Sequence, residues 1–177
     1  MGCLVGCSRL FKVASLILFL GVIVNAIGFA SPFWSNRSPD VEGLWQICSN
    51  GVCEGTVFNP LSSSDWFIAN QILQSIGFGL AFLGVIVALS IMCSACLFNC
   101  FNACGILLTI HALLAAILLV SGLTLYGVQA KILDATVSFF FAFWLTLAAG
   151  ALYLVSGILF SVSVDRDWKH DDEDTVE

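Results

Sequence analysis

Four long apolar runs divide the chain, at roughly 13–30, 67–92, 105–127 and 137–162, and no Lys, Arg, Asp or Glu falls inside any of them. Each is close to the 17–25 residues that a helix needs to cross a hydrocarbon core about 30 Å thick. The pattern therefore predicts four transmembrane helices packed as a single all-α bundle over residues 1–177. The polar stretches between the runs become the loops. They are a long first segment at 31–66, a cysteine-bearing loop around 93–104, a short turn at 128–136 and an acidic tail at 163–177.

The first run also has the outline of a signal peptide, with Arg9 and Lys12 before it and the small residues Ala30 and Ser31 after it. It is longer than an apolar signal region of about 7–15 residues, which favours a span. Four spans leave both termini on one side. Arg9 and Lys12, with Arg166 and Lys169 after the last run, place that side in the cytoplasm by the positive-inside rule, against only Arg37 and Lys131 outside.

Composition agrees with a membrane chain: 59% of residues are hydrophobic and 10% charged, where a soluble domain carries about a quarter charged residues. The net charge of -6 gathers in the tail DDEDTVE and offers nothing to nucleic acid. No nucleophile–base pair, phosphate loop or carboxylate dyad falls in one compartment, so no enzyme, no cofactor and no metal is expected.

Within 31–66 lies GLWQICSNGVCEG, residues 43–55, carrying two of the eight cysteines. Asn50-Gly51 is a strong hairpin signal, because a two-residue type I′ turn needs φ > 0 at both central positions. Ser49 then faces Val52. The next pair outward, Cys48 and Cys53, is a non-hydrogen-bonded pair with Cα atoms about 4.5 Å apart, a separation that a disulfide accepts. The first loop lies on the oxidising side, so a Cys48–Cys53 staple is expected rather than two free thiols.

Trp34, then Gly43-Leu44-Trp45, then Cys48 and Cys53, in the first loop of a four-span chain, resemble the W…GLW-x-x-C…C signature of the claudin, peripheral myelin protein and epithelial membrane protein superfamily. The resemblance covers the whole topology. It implies a four-helix bundle topped by a small antiparallel extracellular sheet, with the tryptophans near the bundle's outer end. The short first loop is closer to the epithelial membrane proteins and the lens fibre membrane protein than to pore-forming claudins. The ending Thr175-Val176-Glu177 gives no PDZ ligand, and the second loop at 128–136 lacks an aromatic residue.

Other positions carry candidate chemistry. Asn36-Arg37-Ser38 is a glycosylation sequon, weakened by the following Pro39 and by closeness to the first span. Cys93, Cys96, Cys100 and Cys104 would form one helical stripe. With no His nearby and a membrane-surface setting, S-palmitoylation fits that stripe better than zinc, and Cys3 and Cys7 form a second such cluster. His111 is the one ionisable side chain well inside a run, with Ser156 and Tyr153 of the fourth helix at similar depth as expected partners. Asn25 reads as a packing residue. Small residues at Gly77, Ala81 and Gly84, and at Ala112, Ala115 and Ala116, mark faces for close helix packing. The acidic tail reads as a solvated terminus.

These features lead to an expected function: a claudin-like tetraspan structural membrane protein of the plasma membrane. It would assemble laterally with itself or with other tetraspan or junction proteins, in contact with membrane lipids, and support cell junctions or membrane organisation. One alternative is a cation-preferring paracellular channel, since Asp40, Glu42, Glu54 and Asp65 outnumber Arg37 in the first loop. Another is an auxiliary subunit of an ion channel.

Overall fold

The computed structural model describes residues 8–37, 40–50, 52–55, 64–94 and 101–174. Four helices and five short strands follow in the order α1 (Arg9–Ala30), β1 (Ser35–Arg37), β2 (Asp40–Glu42), β3 (Gln46–Ser49), β4 (Val52–Gly55), α2 (Asp65–Ser94), α3 (Phe101–Leu133), β5 (Ser138–Phe139) and α4 (Phe141–Asp174). All four helices are long and apolar enough to cross a membrane. The shortest, α1, has 22 residues, or about 33 Å at 1.5 Å per residue.

The outward faces of the bundle fit lipid. Leu16, Ile27, Ile72, Phe82, Ile117 and Ile158 are all exposed, and an apolar surface of this extent is not tolerated by a soluble monomer. Inside, small residues draw the helices together. A Cβ at Gly77 would lie 2.4 Å from Leu119 Cδ1, and Ala81, Ala112, Ala115 and Ala116 are buried in the same core as Leu18, Leu108 and Phe160. The small-residue faces thus serve packing within the bundle.

The chain starts and ends its crossings at the same end. Ser8 caps α1 by accepting from the Phe11 N–H, and its hydroxyl lies 2.8 Å from the Ser163 hydroxyl on α4. At the opposite end Pro32 stops α1, because a residue before proline is pushed out of the helical region and Ser31 is extended at ψ 138°. The five-stranded sheet sits at this second end.

The sheet is antiparallel throughout, in the order β4-β3-β2-β1-β5. Its register gives the expected hairpin: Cys48 opposes Cys53 and Ser49 opposes Val52. Asn50 adopts φ 50°, the left-handed conformation that the turn demands. Gly51 lies outside the described residues.

Several boundaries differ from those expected. The second loop is more than a turn over 128–136. Helix α3 continues from the apolar run to Leu133, and Ser138–Phe139 form β5 beside β1, so α4 starts at Phe141 rather than at 137. The apolar run 137–162 is thus shared between a strand and a helix, and hydropathy alone does not mark where one gives way to the other. The loop also includes the aromatic Phe139, which the expected boundary assigned to the span. Helix α1 begins at Arg9 rather than at 13, α2 covers Asp65–Ser94, and α4 runs through most of 163–177 to Asp174. Once formed, a helix extends at the cost of fixing one residue per bond gained, so charged residues can be added to it.

Candidate functional site

The sheet end of the molecule brings the motif residues together. Trp34 follows the break at Pro32 and is completely buried. Its indole N–H donates to the Gly28 carbonyl at 2.7 Å. That carbonyl belongs to the last turn of α1, where carbonyls lack a helical partner, so the tryptophan closes the end of the helix. Its ring meets Tyr126 edge-on at 5.4 Å, and the Tyr126 hydroxyl lies 2.8 Å from the Ser35 hydroxyl. Around Trp34 the backbone is also tied. The Trp34 N–H donates to Glu42 O, and the Phe140 and Ala142 N–H groups donate to Trp34 O and Phe33 O. One residue therefore links α1, the sheet and the start of α4.

Gly43 is fixed by space. A Cβ there would lie 2.5 Å from Pro32 Cα and 2.8 Å from Ser31 O, both backbone atoms that cannot turn aside. Leu44 is fully buried in a second core with Phe67, Leu123, Tyr126, Val137 and Ala142, and its carbonyl accepts from Gln71 Nε2 on α2 at 2.8 Å. Trp45 is half-buried against Phe29, ring centroids 5.2 Å apart, with its indole N–H buried and unmatched. Trp66 rests on Phe67 and Tyr126.

Residues directly opposite across a sheet share a face. The register therefore makes two rows. Phe139, Ser35, Glu42, Ile47 and Glu54 lie on one face, and Ser138, Asn36, Val41, Cys48 and Cys53 on the other. Ser35 at 0% exposure and Glu42 at 6% show that the first face turns toward the bundle. The disulfide, with Cα atoms 4.0 Å apart, lies on the face turned away. It ties the exposed edge strand β4 to the rest of the sheet.

The acidic residues of the first loop are spread apart. Glu42 is buried beneath the sheet, Glu54 is exposed on the edge strand, Asp65 is exposed in the first turn of α2, and Asp40 is half-buried with one carboxylate oxygen unmatched. Among the described residues, no group of three or more His, Cys, Asp or Glu is placed to hold a metal ion. Asn36 sits in the central part of the sheet, between Val41 and Ser138, on the face turned away from the bundle. Ser38 and Pro39 of the sequon lie outside the described residues, as do Cys3, Cys7, Cys96 and Cys100. Cys93, exposed on α2, and Cys104, half-buried on α3, lie at the end of the bundle opposite the sheet but on different helices, so the four cysteines do not form the single helical stripe expected from their spacing.

His111 does not bond to α4. Its Nδ1 lies 2.8 Å from Leu107 O in its own helix, and its Cβ faces Gly84 of α2. Ser156 instead donates to Ala14 O and joins α4 to α1. Depth along the helix was right for such a pairing but the face was not. Sequence reasoning passed over Gly28, Ser35 and Tyr126, which join Trp34 to its surroundings, and Asn70 and Gln74, which are fully buried in α2. The last two were detectable as polar residues four apart, and so on one helix face, in an otherwise apolar run. Neither a family profile nor a curated protein matches this chain.

Proposed function

We propose that the chain is a claudin-like tetraspan structural protein that assembles laterally in the plasma membrane and supports cell junctions or membrane organisation. One observation carries this reading: a disulfide-stapled sheet is seated on one end of a bundle of four apolar helices and presents a face turned away from it. A module of this kind, buried on one side and open on the other, suits binding between proteins better than chemistry on a small substrate. With both termini in the cytoplasm the sheet is extracellular, and the disulfide falls where disulfides persist. In that orientation Cys93, exposed at the end of the bundle opposite the sheet, is a cytoplasmic juxtamembrane cysteine, the kind of position that S-acylation uses.

The test is localisation of a tagged protein in a contacting cell sheet, comparing wild type with Cys48→Ala/Cys53→Ala. Concentration at cell contacts that is lost in the double variant supports a junctional protein whose stapled sheet makes the contact. Uniform surface staining of the wild type contradicts the junctional role and favours an organiser within one membrane or a channel subunit.

A further inference from the structure

On the α2–α3 seam, Asn70 and Gln74 stand one turn apart on the same face of α2, and both are completely buried. Gln74 Nε2 donates to the Leu119 carbonyl of α3 at 3.2 Å. Gln74 Oε1, Asn70 Nδ2 and Asn70 Oδ1 have no hydrogen-bond partner. The opposing residue on α3 is Gly122, where a Cβ would lie 2.8 Å from Gln74 Nε2 and 2.9 Å from Asn70 Oδ1. The glycine thus leaves a notch in α3 that receives two amide side chains. Phe67, one turn nearer the sheet on α2, and Leu119, one turn deeper on α3, are both buried.

Buried polar groups are nearly always hydrogen-bonded, and lipid offers them nothing. Two amides here display one unmatched donor group and two unmatched acceptors around a shared notch. A cation would meet the Asn70 amide hydrogens as well as the oxygens. A water molecule matches both, because it accepts from Nδ2 while donating to Oδ1 or Oε1, and two to four polar partners are what an internal water requires.

We propose that Asn70, Gln74 and the Gly122 notch form an internal hydration site that holds ordered water within the membrane-spanning part of the α2–α3 seam. Through the adjacent Gln71, which donates to Leu44 O, the same turn of α2 is tied to the sheet. The hydration site thus lies directly beneath the seat of the sheet.

X-ray radiolytic footprinting of the intact protein in detergent tests this, since radicals generated from bound water mark neighbouring side chains that bulk solvent cannot reach. Leu119 and Leu123 should be modified several-fold faster than Leu18 and Leu108, which are as deeply buried but far from the amides. The Asn70→Leu/Gln74→Leu variant should lower the first pair to the level of the second. Equal, low modification of all four leucines in the wild type overturns the proposal. Thermal unfolding gives an independent check. A shared water predicts that Asn70→Leu and Gln74→Leu each lower Tm and that the double variant loses less than both losses together. A dry seam predicts that Asn70→Leu, which removes two unmatched polar atoms and no hydrogen bond, raises Tm, which also overturns it.

Discussion

At the scale of single residues, Trp34 and Gly43 hold the sheet on the bundle for different reasons. Trp34 supplies a bond and a volume together. Trp34→Phe keeps most of the ring but removes the N–H, leaving the Gly28 carbonyl buried and unmatched. The expected loss is about 1–3 kcal/mol, from an unsatisfied buried acceptor, read as a lower Tm with helicity retained. Gly43 supplies an absence. Gly43→Ala places a methyl group against the Pro32 and Ser31 backbone. It should destabilise by more than about 1 kcal/mol, since alanine cannot be accommodated there without a backbone shift. A Tm within error of wild type for Gly43→Ala would show that the β2–β3 connection does not sit against Pro32 as described. Both residues were visible in the sequence as a motif. Their surroundings were not, because nothing local in Gly28 announces a bond to Trp34, 6 positions on, and nothing in Tyr126 announces contact with Ser35, 91 positions before it.

At the scale of elements, the β3–β4 hairpin could be read from sequence down to its register, and the β5 strand could not. Asn50 and the two cysteines fix the hairpin locally, through turn conformation and disulfide reach. Strand β5 has two residues and an apolar composition that continues into α4, and the turn before it, where the Asp134 carboxylate accepts from the Thr136 N–H and hydroxyl, marks a change of direction but not a strand. Its pairing with β1 is decided by tertiary contacts, including the Lys131 ammonium, which donates to the Val137 carbonyl and lies over the Phe139 ring. The staple should act locally as well. Closing so short a loop is worth about 2 kcal/mol in the chain-entropy model. Cys48→Ser/Cys53→Ser should therefore speed hydrogen exchange of the β3 and β4 amides while leaving the four helices as protected as in wild type. Loss of protection throughout the helices would show that the disulfide supports the whole bundle rather than the edge of a sheet.

At the scale of the whole molecule, apolar patterning marked the four spans well, because lipid imposes a requirement on every residue along a helix. It marked their ends less well, since α3 and α4 continue as helices beyond the purely apolar stretch, over Lys131 and into the charged residues after Val164. The arrangement sets the sheet at one end and Ser8, Ser163 and Cys93 at the other. The proposed function depends on which end faces outward. Labelling of intact cells with a membrane-impermeant maleimide decides this, comparing wild type with Ala135→Cys, a new thiol on the exposed turn before β5. If the sheet end is displayed outside the cell, Ala135→Cys is labelled on intact cells and wild type is not. If Ala135→Cys gains label over wild type only after the cells are permeabilised, the sheet faces the cytoplasm and a contact-making role is contradicted.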